Sequence, residues 1–99
     1  MKRYIVDITK QADYSLELIA IHKLEYSNIS FVERFVDGFY KDVEKLSTLP
    51  HRGFDIQEKW KGKLYDNHII IYKIQEPNNV IILDIIDPRQ DRKARKYVM

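Results

Sequence analysis

Apolar residues follow two different rhythms along this chain. Between Lys63 and Asp87 they are nearly continuous, in two runs rich in isoleucine, valine and tyrosine that are joined by Glu76-Pro77-Asn78-Asn79. Such runs around turn-forming residues predict a β-hairpin with arms His68 to Ile74 and Val80 to Ile86. Neither arm alternates apolar with polar residues, so neither face can be left wholly in water, and other parts of the chain must cover the sheet. Between Lys10 and Leu49 the rhythm is instead three to four residues. Ala12, Leu16, Ile19, Ala20 and Lys23-Leu24 mark one amphipathic helix, with Thr9 as its N-cap and Tyr26-Ser27-Asn28 as its end. Val32, Phe35, Val36, Phe39, Val43 and Leu46 mark a second. There Ser30-Phe31-Val32-Glu33 reads as a capping box, and Leu49-Pro50 as the stop.

Tyr4-Ile5-Val6-Asp7-Ile8 predicts a short strand before the helices. Lys63-Leu64-Tyr65 predicts the end of another, turning tightly through Asp66-Asn67 into the hairpin. His51-Arg52-Gly53 reads as a loop. Phe54 to Gly62 shows no clear period, although Trp60 suggests a point anchored against the core. The expected fold is therefore α+β: an N-terminal strand, a helical hairpin, then a three-stranded antiparallel meander, all in one sheet with the helices on one side. The 99 residues suit one domain spanning 1–99, with a basic tail from about residue 88.

Composition narrows the chemistry. There is no cysteine, which excludes disulfides, thiolate metal sites and thiol nucleophiles and fits a reducing cytoplasm. No stretch is long and apolar enough to span a membrane, and no signal-peptide pattern is present, so a cytoplasmic location without membrane contact is expected. The net charge of +2 is unevenly spread. Up to Glu58 there are eight Lys/Arg against ten Asp/Glu, and from Lys59 onward nine against five. The second half can thus meet phosphates or an acidic partner, or simply be a solvated basic surface.

In sequence order, a strand is followed by Thr9-Lys10-Gln11-Ala12 opening a helix and by a second helix ending in Leu46-Ser47-Thr48-Leu49-Pro50. A loop at Gly53, the arm His68-Ile69-Ile70-Ile71-Tyr72-Lys73-Ile74 and an arm ending Ile85-Ile86-Asp87-Pro88-Arg89-Gln90-Asp91 come next. Together these segments, covering nearly the whole chain, resemble the RelE/ParE superfamily of toxins from bacterial and archaeal toxin-antitoxin pairs. The resemblance implies a small toxin neutralised by a cognate antitoxin that wraps it. RelE-like members cut messenger RNA in the ribosome, and ParE-like members poison DNA gyrase. Metal-independent mRNA cleavage is the activity expected first, with gyrase binding or an inactive antitoxin-binding member as the alternatives. No cofactor is implied.

In RelE-like nucleases, basic and aromatic residues position the RNA for attack by its own 2′-hydroxyl and stabilise the charged transition state. By resemblance, Lys61 and Lys63 match lysines on the strand before the hairpin, while Arg89 and Tyr97 match an arginine after the last strand and a tyrosine in the tail. Lys61 and Lys63 are two apart, which puts them on one strand face, where they serve either one phosphate backbone or an edge protected by charge. His68 titrates near neutral pH, so it is a candidate general acid or base as well as an ordinary structural histidine. Arg92, Lys93 and Arg95, interleaved with an aromatic, suit RNA contact or a solvated tail. The arginine that RelE-like enzymes carry in the first hairpin arm is replaced here by isoleucines between His68 and Tyr72. His22 and His51 have no ligand-spaced partner, so no metal site is expected. Tyr65, Tyr72 and Trp60 read as packing residues rather than base-stacking platforms.

Overall fold

The computed structural model describes residues 3–88, and one hydroxyl near its start ties three elements together. Thr9 lies between a short strand, β1 (Ile5–Ile8), and the first helix, α1 (Lys10–Leu24). Its Oγ1 accepts from the Ala12 amide at 3.2 Å, the expected N-cap bond, and donates at 2.8 Å to the Ile82 carbonyl in the last strand. A second helix, α2 (Ile29–Glu44), runs back along α1. Four strands follow: β2 (Phe54–Gln57), β3 (Trp60–Tyr65), β4 (His68–Gln75) and β5 (Asn79–Ile86). Among the described residues, the five strands form one sheet in the order β1-β5-β4-β3-β2. β1 pairs parallel with β5, Val6 opposite Val80 and Ile8 opposite Ile82, and the remaining pairs are antiparallel. The α+β expectation holds, with one strand more than the meander foreseen.

The extra strand is β2. Its pairing sets Phe54 opposite Gly62 and Asp55 opposite Lys61 before the register shifts. Gly62 lets the pairing form, because a side chain at that position would collide with the Phe54 ring and the Ile56 methyl. No apolar alternation announces β2, since all four of its residues are exposed.

Two boundaries also differ from the sequence reading. The N-cap of α2 is Asn28, whose side chain accepts from the Phe31 amide at 2.9 Å, so Ser30 lies inside the first turn and the foreseen capping box is not formed. At its other end α2 stops at Glu44, and the chain continues through 3-10 turns at Lys45–Ser47 and Pro50–Arg52. Leu46 nevertheless stays buried, so the apolar stripe outlasts the helix.

Helices cover one sheet face. Directly opposed residues of neighbouring strands share a face, which places Lys61, Lys63, Tyr65, His68, Ile70, Tyr72, Ile74, Val80 and Ile82 on the helix side. Here Ala12, Leu16, Phe35, Phe39, Val43 and Leu46 close over Ile70, Tyr72, Val80, Ile82 and Ile85. Ile82 and Ile85 are three apart, yet both are fully buried in this core. The register shift between Ile71 and Tyr72, which passes over Leu83, makes that possible by changing the strand's parity. On α1 the buried stripe is narrower than the spacing implied. Leu24 is exposed, as are Tyr14, Leu18 and Ile21.

Candidate functional site

The expected chemistry centres on the turn between β3 and β4. Asp66 and Asn67 both have positive φ, 47° and 64°, the geometry of a two-residue hairpin turn with the right-handed twist of its strands. His68 follows and turns its ring inward. It is 2% exposed, its centroid lies 5.3 Å from that of Phe35, and Nδ1–H donates to the Asp66 carbonyl at 2.7 Å. A general acid or base must come within hydrogen-bonding reach of the group it serves. The fold places His68 beneath α2, away from solvent.

Lys61 and Lys63 do share a strand face, but it is the face covered by helices, and each ammonium is engaged at the margin of the core. Lys61 Nζ lies 2.8 Å from Asp55 Oδ1 and donates to the Gly53 carbonyl at 3.3 Å. Lys63 Nζ lies 3.1 Å from Asp42 Oδ2, and the same carboxylate is 3.5 Å from Lys45. Tyr72, on the same face, is fully buried. Its hydroxyl donates to the Pro50 carbonyl at 2.7 Å and accepts from the Gly53 amide at 3.1 Å. Burial pushes its pKa above the ordinary phenol value, with the hydrogen bond from Gly53 opposing and Asp55 adding. Tyr65 donates to the Phe35 carbonyl at 2.6 Å, and burial raises its pKa too, assisted by Asp66 and Asp42. These tyrosines are packing residues, as their pattern indicated. Ile69, Ile70 and Ile71, where a RelE-like arginine would stand, are half-buried, fully buried and 2% exposed.

Arg89, Arg92, Lys93, Arg95 and Tyr97 lie outside the described residues. The structure therefore relates His68, Lys61 and Lys63 to one sheet face, and does not bring them to a shared solvent-facing surface. Among the described residues no group of three or more His, Asp or Glu is placed to hold a metal ion, and no helix is long and apolar enough to cross a membrane.

Two concave surfaces were not legible in the sequence. A cleft of about 560 Å³ gathers Lys59, Lys61 and Lys73 with Asp55, Glu58 and Glu76. A groove of about 650 Å³ runs beside β3, lined by Lys45, Leu46, Leu49, Arg52, Phe54 and Leu64. Leu49, Phe54 and Leu64 are 48%, 44% and 68% exposed there. Leu49 and Phe54 stand singly among polar and turn-forming residues, and Leu64 stands between Lys63 and Tyr65, so no periodicity marks these three.

A family model described as the ParE toxin of the type II toxin-antitoxin system, parDE, matches residues 6–92. Among solved structures, the chain is similar to one from the chromosomal ParDE toxin-antitoxin system of P. aeruginosa. That match has a TM-score of 0.75 at 13% identity and covers 85% of this chain and 95% of the other. It is also similar to a chain of the RelBE2 toxin-antitoxin complex from Mycobacterium tuberculosis, with a TM-score of 0.57 at 21% identity over 85% and 96% of the two chains. A comparison with curated proteins returned no match.

Proposed function

The chain belongs to the ParE toxin family of type II toxin-antitoxin systems, and from that premise we propose that it arrests growth by binding DNA gyrase and is neutralised by a cognate antitoxin. The observation that carries the gyrase reading over mRNA cleavage is the placement of His68. It is sealed beneath α2 at 2% exposure, while Lys61 and Lys63 are committed to Asp55 and Asp42. A nuclease of the kind first expected needs a proton-transfer group and cations facing the RNA. A toxin that works by binding needs a rigid surface instead, and the five-stranded sheet backed by two helices supplies one. The matching solved structures come from toxin-antitoxin systems, which supports an antitoxin partner here.

Induced expression followed by plasmid-topology analysis and mapping of messenger-RNA ends in the same cells tests this reading. DNA breaks or altered supercoiling with intact RNA are expected. New mRNA ends with unchanged DNA would return the activity to RNA cleavage.

A further inference from the structure

The chain between α2 and β2 is pinned to the sheet from below. Tyr72 donates to the Pro50 carbonyl at 2.7 Å and accepts from the Gly53 amide at 3.1 Å, so the segment from Leu49 to Phe54 is fixed at two points. Burial of Leu46 anchors it just upstream. On this fixed backbone the exposed side chains of Leu49, Phe54 and Leu64 are gathered into one concavity, the groove of about 650 Å³ beside β3. Apolar groups held open to water in a preformed groove mark a protein-binding surface, because little is left to be ordered on association.

Charge selects the kind of partner. The rim holds Lys45, Arg52 and Lys63. Asp42 pairs with both lysines, at 3.5 Å and 3.1 Å, whereas Arg52 makes no ion pair among the described residues. Three cations against one acid leave the rim net positive, which favours an acidic partner. The cleft of about 560 Å³ has no such excess, since its three lysines stand among three acids. A nucleic-acid strand fits the groove poorly. It asks for a row of free cations and for aromatic rings to stack on, and the groove offers one uncommitted arginine and one ring, Phe54. An arginine beside apolar and aromatic anchors is instead the composition of a protein interface centre.

We propose that this groove is the surface through which the chain holds its gyrase target, seating apolar side chains of an acidic segment of that protein on Leu49, Phe54 and Leu64 and a carboxylate on Arg52. This rests on the gyrase reading given above.

The test is binding of the full chain to purified DNA gyrase, with Leu64→Glu and Arg52→Glu in the groove and Lys59→Glu in the cleft as a charge-matched control. All three side chains are exposed, and thermal unfolding checks that each variant keeps the parent's midpoint. The groove variants should bind gyrase about tenfold or more weakly and lose growth arrest, while Lys59→Glu should bind like the parent. Groove variants that bind and arrest growth like the parent overturn the groove assignment and leave the gyrase reading intact. Equal weakening by Lys59→Glu overturns the assignment as well, because the effect is then general charge attraction. A parent chain that does not bind gyrase overturns both. A measurement that needs no substitution is amide hydrogen exchange of the chain alone and in complex with gyrase. Exchange should slow by about tenfold or more between Leu49 and Phe54 and at Leu64, and protection confined to other elements overturns the assignment.

Discussion

Tyr72 and Tyr65 show how much single groups contribute here. Each phenol oxygen is spent on backbone, Tyr72 on Pro50 and Gly53 and Tyr65 on Phe35, so each side chain fastens a segment without regular ladder bonds or a helix to the sheet. Tyr72→Phe leaves a buried carbonyl and amide without their partner and should cost about 1–3 kcal/mol in chemical denaturation. Burial also raises both phenol pKa values above 10.0. The folded state then keeps protons that the unfolded chain has released. The stability owed to these groups is whole below pH 10.0 and is lost as the pH rises through the folded values. Denaturation midpoints measured from about pH 8 to about pH 11 should fall at the alkaline end, and less steeply in Tyr72→Phe. An unchanged slope in that variant would show that Tyr72 is not the group responsible. Gly38 is the complementary case, because a methyl there would overlap the Tyr65 hydroxyl. Gly38→Ala should destabilise by about 1–3 kcal/mol, less up to about 1 kcal/mol regained in helix propensity. In a Tyr65→Phe background most of that cost should vanish, and strict additivity in the double-mutant cycle would refute the clash.

Among the elements, the start of α2 illustrates how nearby residues compete for one role. Asn28 and Ser30 both have a side-chain oxygen suited to capping, and Glu33 three residues after Ser30 completes a capping-box pattern. The fold chooses Asn28, which holds the Phe31 amide and adds Ile29 and Ser30 to the helix. Asn28→Ala should therefore cost about 1 kcal/mol in thermal or chemical unfolding, and Ser30→Ala close to nothing. The reverse order would restore the later start. β2 is the opposite situation, an element with no apolar pattern of its own. It exists because Gly62 on β3 leaves room for Phe54. Likewise, the bulge past Leu83 lets β5 present Ile82 and Ile85 to one side, which no strict two-residue alternation would do.

For the molecule as a whole, the two helices bury one face of the sheet around Phe39, which has no exposed surface. Phe39→Ala should cost about 3–5 kcal/mol, a large share of the roughly 5–15 kcal/mol that holds a domain folded. Leu18→Ala, on the exposed side of α1, should shift the midpoint by less than about 0.5 kcal/mol. Comparable losses at the two positions would mean that α1 is covered on both sides. The same architecture explains why His68, Lys61 and Lys63 share no solvent-facing surface. Alternation set Lys61, Lys63, Tyr65, His68 and Tyr72 on one face, and that face is where α2 lies.

The sequence by itself determined the kinds of element and their order, β2 excepted. Apolar spacing of three to four residues, two continuous β-branched runs and the residues at Thr9 and Asp66-Asn67 are local properties that backbone geometry translates directly. The shared face of Lys61 and Lys63 followed equally from period two. Only the tertiary structure decided which side of the sheet the helices cover, and with it that His68 is buried and both lysines are paired. It alone decided that β1 joins β5 in parallel and that β2 pairs with β3 only as far as Gly62 among the described residues. These outcomes depend on contacts between residues far apart in the chain. In runs where nearly every position is apolar, one face looks like the other until something packs against it.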